Sequence, residues 1–384
     1  MERKYKIGYL ISNDFNDRTK GSGIYYYQSK ALEKHLGEIF YIKPSKSALF
    51  IVKKIEKIIG KLNYILPRKY LSSHSIFISR LYGRSFTRRI KGLKLDFIFG
   101  DKSSKIIAYL KTEIPIIYST DAFFSCMHNY YPEFTNLSRV SIGEANKVEA
   151  NAIRNSRFLV VTSDWAARCA VDYYGVRNGN VLINPRGANL EEIPSRMDLD
   201  LKKKESLILI FIGVEWVRKG GDVAYETLQY ILGQGQKASL IIIGCLPPKH
   251  VCDDKNVLTI QYLNKGNATD RKKFFSLLNE SDFQILPTRA ECAAISVSEC
   301  SAFGIPSFVT NTGGVAETVK DNINGFRLPL EANGTDFGKA ILDVYNNDAR
   351  YNALRNSTRL YYEEQLNWDV WASRFNEFLG RNLS

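Results

Sequence analysis

The sequence lacks any apolar run approaching the roughly 20 residues that a membrane-spanning helix needs. Its opening, MERKYKIGYLISNDF, reads as no signal peptide, because the first apolar run is short and flanked by polar residues. The six cysteines, Cys126, Cys169, Cys245, Cys252, Cys292 and Cys300, show no CxxC spacing. Neither a disulfide framework nor a zinc site is therefore expected, and reduced thiols in the cytoplasm are the simple reading. The four histidines, His35, His74, His128 and His250, form no triad or metal pattern. The one DxD, Asp198-Leu199-Asp200, sits in a connector and runs into three lysines, a poor setting for a metal ion. Sequence repeats and low-complexity segments are also missing.

What is present is an uneven charge. The 384 residues carry a formal net charge of +13. Residues 1–200 hold 32 Lys/Arg and 19 Asp/Glu, whereas residues 201–384 hold 21 of each. One half is basic and the other balanced, which suggests two domains with different partners.

Both halves alternate short apolar runs with helix-like stretches. KIGYLIS, LDFIFG, PIIYST and FLVVTS read as buried parallel strands in the first half. LILIFIG, ASLIIIG, FQILPT and PSFVTN read the same way in the second. Amphipathic segments such as DVAYETLQYILGQG and DRKKFFSLLNE lie between them. Such alternation predicts a parallel sheet with helices on both faces, formed twice. The polar stretch NLEEIPSRMDLDLKKKE suits the link. The reading is α/β: two doubly wound, Rossmann-like domains facing across a cleft, over 1–195 and 196–365. The C-terminal helix, about 366–384, is a candidate to pack back on the first domain. Ligands of such folds bind beyond the carboxyl ends of the strands.

The segment RAECAAISVSEC places Glu291 and Glu299 eight positions apart, just after the strand FQILPT. A helix is predicted from near Cys292 to before Gly304, since glycine stops helices and Pro306 cannot continue one. Eight helical positions span roughly 12 Å, too far for a hydrolase dyad, whose carboxyls stand about 5–9.5 Å apart. The two acids suit two parts of one extended ligand, with an anion held by backbone N–H groups near Ile295. Hydroxyls at both ends and phosphate between describe a nucleotide sugar. The simpler alternative is an ordinary helix with a solvated glutamate at each end. Two further loops follow buried strands. TNTGGVAETV offers Gly313 and Gly314 for close backbone approach, and FIGVEWVRKGG sets Arg218 and Lys219 where they would neutralise a diphosphate.

These motifs together resemble glycosyltransferase family 4, the retaining group 1 glycosyltransferases of GT-B fold. Glu291-Cys-Ala-Ala-Ile-Ser-Val-Ser-Glu299 is similar to that family's E-x7-E motif. FIGVEWVRKGG, with Gly213, resembles its F-x-G strand and K-G loop, GGVAE its G-G-x-x-E loop, and SDWAARCAVDYYGV…VLINPRGAN the close of its first domain. The likeness spans most of the chain, strongest from about 155 to 328. It departs at Val214, where the family often has Arg; Arg218 is the candidate substitute. The resemblance implies that Lys219 and Arg218 hold the donor phosphates, Glu291 the donor-sugar hydroxyls and Glu299 the ribose. Backbone N–H near Ile295 would help with the diphosphate. In TKGSGIYYYQSKAL, Gly21 and Gly23 resemble the family's glycine loop after the first strand, where the backbone approaches phosphate or acceptor.

The implied reaction is transfer of a sugar from a nucleotide diphosphate to a hydroxyl with anomeric retention, by front-face displacement. No metal and no cofactor beyond the donor is expected. Asp121, just past a strand, resembles the place of a family histidine in the acceptor domain and would orient a sugar or assist proton movement. A helix cap is the alternative. Residues 44–94 hold thirteen Lys/Arg, and 44–96 only two acids, Glu56 and Asp96. ALFIVKKIEKIIGKLNYIL has helical apolar spacing with Lys53, Lys54, Lys57 and Lys61 opposite. Such helices lie on anionic membranes, which would suit a lipid-linked acceptor and peripheral attachment to a cytoplasmic membrane face. A helix packed on its own domain is the alternative. Two other functions stay open: a nucleotide-sugar 2-epimerase of similar fold, and a basic nucleic-acid-binding protein, for which no stacking platform is visible.

Overall fold

The computed structural model describes residues 4–12, 23–199 and 203–383. Two units each carry one parallel sheet. The first is built on Tyr25–Asn184 and Ala372–Ser384 and also holds the first strand. The second is built on Pro185–Trp371. The chain thus divides between Asn184 and Pro185, about ten residues before the expected 195/196, and again between Trp371 and Ala372.

In the first unit the strands are β1 (Tyr5–Leu10), β2 (Gly37–Ile42), β3 (Phe97–Asp101), β4 (Ile116–Thr120), β5 (Phe158–Val161) and β6 (Val181–Ile183). Their order is β2-β1-β3-β4-β5-β6, all parallel. The second sheet has β7 (Leu207–Ile212), β8 (Ala238–Ile243), β9 (Val257–Ile260), β10 (Phe283–Leu286), β11 (Ser307–Thr310) and β12 (Gly325–Leu328). Its order is β12-β11-β10-β7-β8-β9. The chain order reverses at β7, which lies between β10 and β8. Loops at the carboxyl ends of β7 and β10 are therefore neighbours, the usual ligand crevice of an open α/β sheet.

The inner strands bury both faces. Leu209, Phe211, Leu240, Ile242, Ile285 and Phe308 are fully buried in the second core, and Ile98 and Val161 in the first. Each such side chain contributes roughly 1.5–3 kcal/mol. Residues 372–382 of the helix Trp368–Asn382 belong to the first unit. Phe375 packs edge-on against Phe97 and Phe99, and Phe378 against Phe158.

Two expectations need correction. Cys126 and Cys169, 43 residues apart, form a disulfide, contrary to the reading of wholly reduced thiols. Cys126 lies on the short helix Phe124–Met127 and Cys169 on Asp164–Tyr174, so the fold and not a local motif brings them together. The other four cysteines are not disulfide-bonded. Second, the helix of the E-x7-E segment runs Ile295–Ala302 and begins three residues later than expected. Ala294 caps it with non-helical φ −77° and ψ 78°, so Glu291 stands in the preceding loop.

Candidate functional site

Because β7 and β10 are paired, with Phe283 beside Leu209, the loops that follow them zip together. The Arg289 N–H donates to the Arg218 carbonyl at 2.8 Å. Lys219 of the first loop forms an ion pair with Glu291 of the second, and both side chains are largely buried. Arg218 does not share this pair. Its guanidinium grips both oxygens of Glu215 at 2.7 and 3.0 Å and donates to the Ala290 carbonyl at 2.9 Å. Arg218 therefore clamps one loop to the other.

Glycine makes the close approach possible. A Cβ on Gly213 would lie 2.9 Å from Cγ of Lys219, so the lysine stem passes directly over this residue. Gly220 has φ +75°, and a Cβ there would meet the Pro287 carbonyl oxygen at 1.9 Å. The left-handed conformation and the contact with β10's exit both require glycine.

The third loop, after β11, joins at the same point. The Gly314 N–H donates to the Glu291 carbonyl at 3.0 Å, and Gly313 beside it has φ +53°. Glu291 is thus held through its carboxylate by Lys219 and through its backbone by the glycine loop. Its Oε1 also accepts from the Ala293 N–H at 3.4 Å. The Ile295 N–H turns back onto the Ala293 carbonyl at 2.9 Å.

Glu299 lies inside the helix Ile295–Ala302 and is almost wholly buried. Its partner is Lys265, from the loop after β9, in an ion pair. Burial pushes the Glu299 carboxyl up from its ordinary range, while Lys265 and a backbone bond from Asn189 pull it back. The Arg218 hydrogen bonds hold the Glu215 carboxyl below its ordinary range. Arg289 does the same for Asp222, through contacts of 2.6 and 3.0 Å.

In the first unit, Asp121 pairs with Lys102 at 2.5 Å, from the loop after the neighbouring strand β3. It caps no helix: the N-cap of Phe124–Met127 is Phe123. Gly23, with φ +83°, immediately precedes the helix Ile24–His35. Gly21 and Asp200 lie outside the described residues. His74 is a core histidine, 3.7 Å from Glu149 and against the Phe124 ring. Among the described residues, no group of three His, Cys, Asp or Glu is placed to share a metal ion.

Sequence reasoning brings together Gly213, Lys219, Glu291, Gly313 and Gly314, and these do meet. It missed Lys265, whose partner lies across loops, and Glu215, three residues before Arg218 in the same loop. It also missed the buried segment Arg186–Asn189. The Arg186 carbonyl accepts from Ser298 Oγ at 3.1 Å, and Asn189 Oδ1 accepts from the Trp368 indole at 3.0 Å. Only the NPRGAN likeness hinted at that role.

Residues 196–361 match the family model of group 1 glycosyl transferases. Curated relatives are distant. A glycogen synthase of Pseudomonas syringae pv. tomato is 26% identical over 180 residues, 44% of this chain and 35% of that protein. The GDP-mannose-dependent alpha-(1-6)-phosphatidylinositol monomannoside mannosyltransferase of Mycobacterium tuberculosis is 28% identical over 174 residues, 42% and 44% respectively. The chain thus spans less than half the length of these relatives. Among solved structures, sucrose-phosphate synthase from Thermosynechococcus elongatus superposes with a TM-score of 0.68. That match covers 98% of this chain and 99% of the other, at 15% identity. The fold is GT-B, with two Rossmann-like domains.

Proposed function

We propose that the chain is a retaining glycosyltransferase of hexosyltransferase type. It moves a sugar from a nucleotide diphosphate sugar to a hydroxyl of a saccharide or lipid-linked acceptor, in cell-surface polysaccharide or glycolipid synthesis. The observation that carries this reading is the meeting of three strand-end loops at Glu291, within the stretch that matches the group 1 model. The E-x7-E spacing favours family 4 within that group.

Lys219 supplies the cation for the departing diphosphate, with the backbone at Gly313, Gly314 and Ile295 lining its path. Arg218 contributes charge and fixes the loop through Glu215 and Ala290. Glu291 accepts from donor-sugar hydroxyls, and Glu299 from the ribose. Gly213 gives Lys219 room, and Gly23 gives backbone approach ahead of the helix Ile24–His35. Asp121, oriented by Lys102, receives or steers the acceptor hydroxyl proton. The anomeric carbon–phosphate oxygen bond breaks as the acceptor oxygen bonds to the same face. Charge on the leaving group is assigned to these side chains, so turnover is expected to survive a metal chelator.

The helix Lys46–Ile65 supports a peripheral membrane site for such an acceptor. Val52 is buried in the first core, but Phe50, Ile58 and Ile65 are 60%, 58% and 81% exposed. No helix among the described residues is long and apolar enough to cross a membrane. The mycobacterial relative's name describes a lipid acceptor, which agrees with this reading.

The test is to incubate the protein with nucleotide diphosphate sugars, with and without lipid-linked saccharides, and to read products and anomeric configuration by NMR. Acceptor-dependent α-to-α or β-to-β transfer supports the proposal. Turnover of the nucleotide sugar alone would point to an epimerase instead, and inversion would remove the retaining assignment.

A further inference from the structure

Beside the helix Lys46–Ile65 lies a cavity of about 490 Å³ that the transfer chemistry does not use. Ile59, Leu62, Leu66, Pro67 and Tyr70 form its apolar walls, and the exposed Arg68 also lines it. Its far wall is set by hydrogen bonds. Asn63 exchanges two with the Tyr70 backbone, at 2.8 and 3.0 Å. The Lys69 N–H donates to the Asn136 carbonyl, and the Ser138 N–H returns to Lys69, each at 2.9 Å. Asn136 also donates to the Pro67 carbonyl at 3.1 Å. The groove is therefore preformed, which lowers the ordering cost of filling it.

Its place in the fold is informative. The helix Arg139–Asn155 returns the chain from the carboxyl end of β4 to the start of β5. Its N-cap, Ser138, lines the groove. The groove thus opens on the ligand-binding side of the first sheet, the side that carries Asp121. Beside it, Tyr64, Ile65 and Leu66 are exposed, Arg68 lines it, and the segment 44–94, which supplies all but one of its lining residues, carries thirteen Lys/Arg.

The geometry points to this groove as a binding site for one hydrocarbon chain of an anionic lipid, the lipid part of the acceptor. The inference deepens the acceptor reading above and rests on it for the reacting hydroxyl. Apolar walls take the chain, and the surrounding Lys and Arg side chains take a phosphate-bearing headgroup at the mouth. A second copy of the chain fits poorly, because a two-fold contact here would oppose the two Arg68 guanidinium groups and the two basic segments that carry them. Surface adsorption alone requires exposed apolar side chains and no walled groove.

The test titrates the full chain by calorimetry with monomeric alkyl phosphates of six to fourteen carbons, below their aggregation concentrations. Affinity is expected to rise roughly fourfold per methylene and to level off once the groove is full. Leu66→Trp, which narrows the groove, and Leu62→Glu, which makes a wall polar, are each expected to abolish the chain-length dependence. Melting curves establish that both variants fold. No chain-length dependence in the wild type, or equal dependence in a folded variant, would overturn the proposal. So would a dimer in sedimentation that Leu66→Trp dissolves, because the groove would then be filled by protein. Nucleoside diphosphate titration of the wild type reports on the transferase reading separately. Chain binding without nucleotide binding sinks the transferase and keeps the groove; the reverse sinks the groove alone.

Discussion

Lys265 is ion-paired with Glu299, joining the loop after the edge strand β9 to the helix that follows β10. Glu299 is buried and Lys265 is about one-fifth exposed, so the lysine is the main group opposing the burial of this carboxylate. Burial raises the carboxyl and Lys265 lowers it. Lys265→Met should therefore raise it further. If the ribose needs the carboxylate as acceptor, affinity for a nucleoside diphosphate falls as pH drops through the Glu299 value. In the variant that fall should begin at higher pH, and Lys265→Arg should restore the wild-type profile. Calorimetry across pH reads this directly; superimposable profiles would detach Lys265 from Glu299's function.

The same carboxyl fixes a sign for stability. Its raised value in the folded chain means that the native state keeps a proton that the unfolded chain releases. Stability should therefore decline as pH rises from the ordinary carboxylate range through the raised value, and level off above it. Glu299→Gln should flatten that decline. Denaturant melts over the window check it, and an unchanged slope would contradict the cause assigned.

Glu299→Ala should weaken nucleoside diphosphate binding by about 1.5–3 kcal/mol, the loss of a hydrogen bond to a charged acceptor. Titration of a variant with wild-type secondary structure decides it. Unchanged affinity would remove Glu299 from the donor site.

Gly220→Ala should cost both stability and binding. Alanine would carry its Cβ into the Pro287 carbonyl while holding φ +75°, a strain of about 1–3 kcal/mol. The shift would displace Lys219 next to it. A folded Gly220→Ala protein with an unchanged denaturation midpoint would show that the loop relaxes freely.

Replacing Lys53, Lys54, Lys57 and Lys61 with Gln should release the chain from anionic vesicles, as high salt should. Each lysine near such a surface is worth about 1 kcal/mol, and salt screens it. Nucleotide binding should persist, since the donor loops lie in the other unit. Equal vesicle binding by both proteins would assign the positive charge another role.

Eight of the twelve strands among the described residues are legible as apolar runs, and all eight are inner strands. The four that are not, β2, β6, β9 and β12, are the sheet edges. Their exposed or half-exposed positions break the apolar run that marks a buried strand. The donor-side cluster was legible because its glycines and charges follow strands that pair in space. Lys265 was not, because it pairs across two intervening strands and no local spacing records that. The late start of Ile295–Ala302 escaped for a related reason: Glu291 is held by Lys219 and Gly314, tertiary partners that override local helix preference. Cys126 and Cys169 likewise meet only through the packing of two helices.

The central claim is that Lys219 and Glu291 frame a nucleotide diphosphate sugar. The most direct measurement is calorimetric titration of the wild type and Lys219→Ala with the UDP, GDP and ADP forms of common hexoses. The account predicts saturable binding of at least one donor by the wild type and a loss of about tenfold or more in the variant, together with a lower melting temperature, because the buried Glu291 carboxylate loses its lysine. Donor binding of equal strength in a folded Lys219→Ala protein, or no binding of any nucleotide sugar by the wild type, would contradict it.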